Sequence, residues 1–272
     1  IELEADRSTF LVGIGGGVVC DITGFVASTY MRGIRFGFAA TTLLAQVDAS
    51  VGGKNGVNFG GYKNMVGVFN QPEFVLCNGR FLGTLPRHEL QCGLAEVVKH
   101  GAIYDAGYFE FLEQNADAIL RLDRTAIDRV VADSVRIKAA VVERDEKEAG
   151  ERRKLNFGHT LGHALEKTTR ISHGQAVSAG MVFAAQLSVQ KGRLTSDAAG
   201  RLVRLLKRFG LPVTHAISGR QLVDAIGKDK KRQQDTLHFV LLGDIGQAEV
   251  ENIPLNELAR WVEEIDLDTP VS

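Results

Sequence analysis

The chain has 272 residues, of which 44% are hydrophobic, so it can bury one large core or two ordinary ones and is neither disordered nor fibrous. Its 32 basic and 33 acidic residues leave a formal charge of -1, and no overall field exists to hold nucleic acid or an anionic membrane. No stretch reaches the roughly 18 uncharged apolar residues that a membrane span needs. The sequence therefore predicts a soluble protein whose anion-binding sites are local.

The three cysteines, Cys20, Cys77 and Cys92, lie in apolar contexts without the spacing of a disulfide framework or a CxxC metal pair. We interpret them as core thiols of a protein from the reduced cytoplasm. The chain opens at Ile1 on a strand-like run, and we expect an upstream segment that this sequence does not contain.

The first predicted elements follow the strand, turn and helix order of a parallel α/β sheet. They are a strand at residues 10–14, a glycine turn at 15–17, a helix through Asp21 to Tyr30, and strands at 36–39 and 74–77. The intervening residues 41–69 are dense in glycine, lysine and asparagine, and a loop of that length inside a compact domain is usually functional.

From residue 85 onward, apolar residues recur with helical spacing, and Pro86, Gly210 and Gly219 mark turns and helix ends. The predicted helices cover residues 89–112, 116–120, 124–144, 160–166, 174–191, 196–209 and 219–226, with one short strand at 237–242. We therefore predict an α/β domain over residues 1–84 and a mainly α-helical domain over residues 85–272.

Four glycines, Gly13 and Gly15 to Gly17, allow the backbone after the first strand to approach a diphosphate, with the amides of the next helix directed at the anion. The turn is suited to a dinucleotide. Its spacing differs from GxGxxG, and Asp21 lies inside the helix instead of at the end of a second strand. A merely tight turn is the alternative.

Polar residues in the glycine-rich loop could meet an anionic ligand. Asp48, Lys54, Lys63 and Asn64 lie where a flexible backbone can deliver cations to a phosphate or a carboxylate. A solvated surface loop is the alternative.

Histidines of the second part have the spacing of metal ligands. His159 and His163 are four residues apart on one face of a helix, and His173 follows ten residues later. Glu96, between apolar helix neighbours, could add a carboxylate and leave an open position for substrate. Such a mixed site suits zinc. Hydrogen-bonded core histidines are the alternative.

Lys138 falls on an otherwise apolar helical stripe and needs an anion there, unless it extends its ammonium to solvent. Glu148, Arg152 and Asn156 recur every four residues before His159, so Arg152 could hold a carboxylate in two-point contact. A run of exposed charges is the alternative for these three.

Together these segments resemble the 3-dehydroquinate synthase family over nearly the entire chain. The motifs that carry the resemblance are GGGV at 15–18 with Asp21, YMRG at 30–33, TTLLAQVD at 41–48, SVGGK at 50–54, KN at 63–64, TLP at 84–86, GLAEVVK at 93–99, LNFGHT at 155–160 with His163, and HG at 173–174.

The resemblance implies an α/β N-terminal nucleotide-binding domain, here lacking its first strands, followed by a mainly α-helical metal-binding domain. It also implies a cytoplasmic homodimer that uses NAD and a divalent metal, usually zinc with cobalt as the alternative. The reaction converts the sugar phosphate 3-deoxy-D-arabino-heptulosonate 7-phosphate into 3-dehydroquinate and phosphate, a lyase step of the shikimate route to aromatic amino acids. NAD is reduced transiently, phosphate is eliminated, and an intramolecular aldol step closes the ring.

The family's residue roles can be carried onto matching positions of this sequence. The metal ligands are then Glu96, His159 and His173, which moves His163 to the substrate side. Cofactor-binding positions are Gly16, Gly17, Val18, Asp21, Thr41, Thr42, Asp48, Lys63 and Thr84. Substrate-binding positions are Arg32, Lys54, Lys63, Asn64, Lys138, Arg152, Asn156, His163 and Lys231. The catalytic positions are Lys54, Lys99, Glu148 and His163.

Other interpretations stay open. A metal-dependent polyol or glycerol-phosphate dehydrogenase would share the glycine turn and helical metal domain, but it does not require so many anion-binding cations. A related cyclitol synthase is closer, although Lys138, Arg152, Asn156 and His163 favour a carboxylated substrate. A non-catalytic fragment is the third alternative, against which the intact ligand set argues.

Overall fold

The structure, a computed structural model, describes residues 2, 4–60, 62–169, 171–214 and 236–265. The chain divides into two compact units, Ile1–Gly93 with Leu122–Lys147 and Leu94–Arg121 with Glu148–Ser272. The division predicted from the sequence, into domains 1–84 and 85–272, stays a prediction.

The secondary structure of the described residues is mainly helical. The strands are β1 (Phe10–Gly15), β2 (Arg35–Ala40), β3 (Lys54–Phe59), β4 (Tyr62–Phe69), β5 (Val75–Cys77), β6 (Thr236–Asp244) and β7 (Gln247–Pro254). The α-helices are α1 (Gly17–Thr29), α2 (Arg87–Tyr104), α3 (Ala106–Leu120), α4 (Arg124–Arg144), α5 (His159–Thr168), α6 (His173–Gln190), α7 (Ser196–Arg208) and α8 (Leu255–Glu264). None of these helices combines the length and apolar character needed to cross a bilayer.

A parallel sheet with the strand order β1-β2-β5 organises the first unit. The strands predicted at 10–14, 36–39 and 74–77 are confirmed to within one residue at each end. Cys20 of α1 is buried in one cluster with Phe36 and Phe38 of β2, as expected of a core thiol, and burial raises its pKa to about 11. This sheet and its helix confirm the predicted α/β class of the N-terminal part.

The prediction of one long loop over residues 41–69 is wrong, because this segment contains the antiparallel hairpin β3–β4. Two of its glycines, Gly56 and Gly67, are cross-strand partners. Gly24 of α1 faces the buried Asn55 side chain of β3, and an added Cβ there would lie 1.9 Å from Asn55 Oδ1. The glycines therefore serve close strand and helix packing, which composition alone does not distinguish from loop flexibility.

The second unit is helical, with α6 buried along most of its length. The single helix predicted over residues 89–112 is wrong, since α2 ends at Tyr104 and α3 begins at Ala106. The separate helix predicted over residues 116–120 is wrong too, because these residues are the end of α3. Between α2 and α3, Asp105 has an extended backbone, and its carboxylate accepts a hydrogen bond of 2.8 Å from the Tyr108 amide. Because apolar residues continue at helical spacing across this cap, their pattern does not show the end of α2.

The remaining predicted helices agree with the structure where it describes them. Segments 124–144, 160–166, 174–191 and 196–209 correspond to α4, α5, α6 and α7. The predicted strand 237–242 lies within β6, whereas its antiparallel partner β7 and the helix α8 were not predicted. The predicted helix 219–226 lies outside the described residues.

Candidate metal and nucleotide sites

A buried carboxylate, Glu96, is the centre of the candidate metal site in the second unit. Glu96 and Lys99 lie one turn apart on α2, are 0% and 2% exposed, and form an ion pair. Burying a charge is costly unless an opposite charge accompanies it. The ammonium of Lys99 thus offsets part of the cost of burying this carboxylate.

Two histidines approach Glu96 from the first residues of two helices. Nε2 of His159, which begins α5, lies 3.5 Å from Glu96 Oε1, and Nε2 of His173, which begins α6, lies 3.3 Å from the same oxygen. One potential ligand atom from each of the three residues lies within 4.8 Å of the others. The structure therefore brings together the three side chains that we expect to hold a metal.

Close backbone packing of α5 against α6 brings the two histidines together. Gly158, just before His159, has φ +79°, and a Cβ added to Gly180 of α6 would lie only 1.9 Å from its carbonyl oxygen. At the start of α6, the side chains of Ser172 and Gln175 form a capping box. Glycine at 158 and 180 and the cap thus determine where each histidine begins its helix.

Each histidine ring has a second partner at Nδ1. Nδ1 of His159 lies 3.2 Å from the carbonyl oxygen of Phe157, and Nδ1 of His173 lies 3.2 Å from Glu166 Oε1. A carbonyl can only accept, so Nδ1 of His159 is the donor and its Nε2 carries the lone pair. Metal-binding histidines are held in this way by a second partner.

The electrostatics of the two rings differ. Burial, together with the ammonium of Lys99, lowers the pKa of His159 to about 3, so this ring is neutral. Burial by itself lowers the pKa of His173, but hydrogen bonds to Glu166 and Glu96 outweigh it and raise the value to about 10. Carboxylates that stabilise a proton on this ring would also stabilise a divalent cation in its place. A carboxylate with two imidazoles is a donor set that divalent zinc or cobalt accepts.

The spacing argument from His159 and His163 is only partly right. Their ring centroids are 5.4 Å apart, so they are neighbours on α5. However, the group of ligand atoms that contains His159 is completed by Glu96 and His173, and not by His163. His163 is therefore placed beside the candidate metal ligands rather than among them.

Three further polar residues of the second unit lie before α5. Asn156 Nδ2 donates a 2.6 Å hydrogen bond to Glu148 Oε1, so these two predicted site residues are brought together. Arg152 is buried in the 3₁₀ turn Glu151–Asn156. A run of exposed charges is therefore the wrong description of this segment. The predicted site residue Lys231 lies outside the described residues.

The glycine turn of the first unit lies at the start of α1. Gly16 precedes the first residue of α1, whose first turn carries no acidic residue, so its amides can face an anion. A Cβ on Gly16 would lie 2.9 Å from Cγ2 of Thr42, and the amide of Thr41 donates a 2.9 Å hydrogen bond to Gly15. The turn and the two threonines therefore lie against each other, and the space at Gly16 is too small for a side chain.

Lys138 of α4 has an anionic partner. Its Nζ lies 2.7 Å from Asp48 Oδ1 and donates a 2.6 Å hydrogen bond to the Asp48 carbonyl. The alternative in which Lys138 extends to solvent is wrong, since only 7% of this residue is exposed. The charges of Lys138 and Asp48 also act on Asp21, but burial has the largest effect and raises the pKa of its carboxyl to about 6.

Three predicted site residues line one cavity of the first unit. Asp21, Lys54 and Asn64 surround a volume of about 420 Å³ beside the β3–β4 hairpin. Lys63 lies on β4, and its side chain is outside the described part of the structure. The other predicted positions in this unit are exposed: Val18 in the first turn of α1, Arg32 in the turn Tyr30–Arg32, and Thr84 at the end of the turn Gly79–Thr84.

The family models for 3-dehydroquinate synthase match the whole length of both units up to residue 232. The model of the N-terminal part matches residues 1–92, and that of the C-terminal part matches residues 93–232. The chain belongs to the 3-dehydroquinate synthase family. The family resemblance inferred from sequence motifs is thus confirmed.

A relative from this family and two solved structures show how far the similarity extends. The 3-dehydroquinate synthase of Halorhodospira halophila is 48% identical over 254 residues, which cover 92% of this chain and 72% of that protein. The 2-epi-5-epi-valiolone synthase ValA of Streptomyces hygroscopicus, solved with NAD+ and Zn2+, superposes with a TM-score of 0.88 at 28% identity, over 96% of this chain and 74% of that chain. A 2-deoxy-scyllo-inosose synthase, solved with carbaglucose-6-phosphate, NAD+ and Co2+, gives a TM-score of 0.87 at 25% identity, over 97% of this chain and 75% of that chain.

Sequence reasoning missed one residue of the candidate metal site, Glu166, which contacts His173. It follows His159 by seven residues, two helical turns, and therefore lies on the same face of α5. That spacing was the available signal, but a glutamate near the end of a short helix is more often a solvated surface residue.

Proposed function

We propose that this chain is a 3-dehydroquinate synthase, which converts 3-deoxy-D-arabino-heptulosonate 7-phosphate into 3-dehydroquinate and phosphate. The observation that carries the proposal is the convergence of Glu96, His159 and His173 in a member of this family. We further propose a cytoplasmic homodimer with NAD as recycled cofactor and zinc as metal. The NAD+ and Zn2+ bound to ValA support this pair, and the NAD+ and Co2+ bound to the 2-deoxy-scyllo-inosose synthase support NAD with a divalent metal.

The chain provides residues for both cofactors. Glu96, His159 and His173 would hold the metal, while the glycine turn with Thr42, Asp21 and Asp48 would hold NAD. When bound, the metal supplies Lewis-acid polarisation of a substrate oxygen, and NAD supplies a reversible hydride acceptor. Further cofactor-binding positions in the proposal are Val18, Thr41, Lys63 and Thr84.

The substrate carries a phosphate and a carboxylate, and the cations of this chain suit both. Lys54 and Asn64, which line the same cavity, would bind the phosphate with Arg32 and Lys63. The guanidinium of Arg152 would hold the carboxylate in two-point contact. The proposed substrate-binding set also includes Asn156 of the second unit and Lys138 of the first. Lys231 completes the proposed substrate-binding set.

Elimination of phosphate requires that a proton leave the carbon beside a ketone. His163 would hold and move a proton at an imidazole nitrogen, because it lies next to the candidate metal ligand His159. Glu148 would act as a second proton-holding group, oriented by its hydrogen bond from Asn156. Lys54 would meet the departing anion, and Lys99 would keep the charge of Glu96 balanced inside the site.

One assay separates this proposal from its alternatives. The protein, loaded with Zn2+ and NAD, is incubated with the heptulosonate phosphate while phosphate and NADH are followed together. We expect stoichiometric phosphate release without net NADH. Accumulated NADH would instead support a polyol or glycerol-phosphate dehydrogenase, turnover only of a sugar phosphate without a carboxylate would support a cyclitol synthase, and no turnover in a folded, metal-loaded sample would support a non-catalytic fragment.

Arg152→Ala, compared with Arg153→Ala, tests the carboxylate contact within the same assay. We expect the first variant to raise the substrate KM at least tenfold without loss of metal, because a charged two-point contact is removed. The neighbouring Arg153→Ala should leave KM unchanged. Equal kinetics for the two variants would remove Arg152 from the proposed site.

A further inference from the structure

We propose that Glu166 is a positioning residue of the metal site: its carboxylate accepts the Nδ1 proton of His173 and so presents the lone pair of Nε2 to the metal. This inference rests on the proposed function, because it assumes that a divalent ion binds at Glu96, His159 and His173.

The ring of His173 lies between two carboxylates. Nδ1 is 3.2 Å from Glu166 Oε1, and Nε2 is 3.3 Å from Glu96 Oε1. A neutral imidazole carries one proton, and a ring nitrogen that binds a metal must be the one without it. Glu166 therefore selects the correct tautomer, since it favours the proton on the nitrogen that faces away from Glu96.

The two candidate histidine ligands are held by different chemistry. His159 has a backbone carbonyl, that of Phe157, at Nδ1, whereas His173 has the carboxylate of Glu166. A carboxylate makes the opposite ring nitrogen a stronger donor than a neutral carbonyl does. Because Lys99 balances the charge of Glu96, Glu166 also supplies a further negative charge to this cluster.

The fold gives Glu166 a fixed relation to both histidines. It lies on α5, two turns after His159, and its side chain is only 8% exposed. Helix α5 therefore provides one candidate ligand and also the partner of the other. The close contact of Gly158 with Gly180 holds α6, and thus His173, at hydrogen-bonding distance from Glu166.

Cobalt titration of the metal-free protein tests this role independently of activity. Co2+ is added to wild type, Glu166→Gln and Glu166→Ala, and the dissociation constant and visible absorption spectrum are recorded. We expect Glu166→Ala to weaken Co2+ binding about 10- to 100-fold and to change the spectrum, as loss of such a partner does elsewhere. Glu166→Gln keeps an acceptor oxygen and should lose less. Glu113→Gln is the matched control, because Glu113 pairs with Arg201 at a different place in the same unit.

The outcomes separate a positioning role from a structural one. The proposal is supported if the Glu166 variants bind Co2+ more weakly while their metal-free forms melt close to the temperature of wild type. If the alanine variant does not fold, Glu166→Gln provides the test. Wild-type affinity in both variants, an equal loss in Glu113→Gln, or no Co2+ binding by wild type would overturn it. If wild type binds Co2+ but releases no phosphate from the sugar phosphate, the proposed function fails while the role of Glu166 stands.

Discussion

Replacement of Gly180 by alanine would test whether a backbone contact sets the spacing of the candidate histidine ligands. An added Cβ would lie 1.9 Å from the Gly158 carbonyl oxygen, and real Cβ atoms essentially never approach within 3.0 Å, so the two segments must separate by at least about 1.1 Å. Overpacking of this kind costs about 1–3 kcal/mol. The higher helix propensity of alanine returns at most about 1 kcal/mol. Because a 1.9 Å approach to a backbone oxygen belongs at the upper end of the overpacking range, Gly180→Ala should lower the free energy of unfolding by about 2 kcal/mol.

The same displacement should weaken metal binding. Sites of this kind need side chains placed to within about 0.5 Å, so we expect Co2+ affinity to fall at least about tenfold. Gly107→Ala is the matched control, because it also lies in a helix but its Cβ would meet Asp105 Oδ1 at 3.4 Å, an ordinary contact. Urea unfolding of the metal-free protein and Co2+ titration measure both effects. If Gly180→Ala behaved like Gly107→Ala in both assays, packing of α5 on α6 would not determine the site.

Three other substitutions probe separate features. Because burial raises the pKa of Asp21 from 3.8 to about 6, the folded state binds its proton more tightly than the unfolded state, and stability should fall as pH rises through this window. Asp21→Asn should remove that fall and raise the free energy of unfolding by about 1–2 kcal/mol at pH 7.5, after allowance for the partial exposure of the carboxyl. If urea unfolding between pH 4 and 7.5 gave the same pH dependence for the variant as for wild type, this reasoning would be contradicted. Asp105→Ala removes the cap of α3 and should cost about 1 kcal/mol in thermal unfolding without changing phosphate release, whereas equal melting temperatures would show that the cap adds nothing. Glu96→Gln should lose its metal on dialysis, and retention of one equivalent would exclude Glu96 as a ligand.

Local signals predicted the helices well where a cap and an apolar stripe agree. The predicted bounds 124–144 match α4, whose Asp123 caps the first turn by accepting a hydrogen bond from the Ala126 amide. Prediction failed across Asp105, because apolar residues keep the same helical spacing through the end of α2 and the start of α3. That spacing does not show where one helix ends and the next begins. Prediction also failed for β7, where apolar residues alternate with acidic ones along a strand whose partner is needed to recognise it.

The candidate metal site shows the limit of spacing within one helix. The separation of His159 and His163 establishes only that both lie on one face of α5, and says nothing of what approaches that face. Glu96 and His173 come from other helices, so the sequence offered them only as candidates beside His163, and the family resemblance decided the ligand set. Glu166 was missed because its role exists only in relation to a ring on another helix. Lys138 is an intermediate case, because its apolar stripe left an anionic partner or extension to solvent as the two outcomes, and only the fold identified Asp48.

Both candidate histidine ligands occupy the first position of a helix, where fraying is easiest because the first amides lack partners within the helix. An ion that cross-links His159 and His173 would therefore order the starts of α5 and α6 as it binds, and the free energy of that ordering would be subtracted from its affinity. The capping box of Ser172 and Gln175 reduces this penalty by ordering one of the two turns in advance. Amide hydrogen exchange in the first turns of both helices should consequently slow on metal loading, and more so in α5, whose preceding glycine offers no side-chain cap.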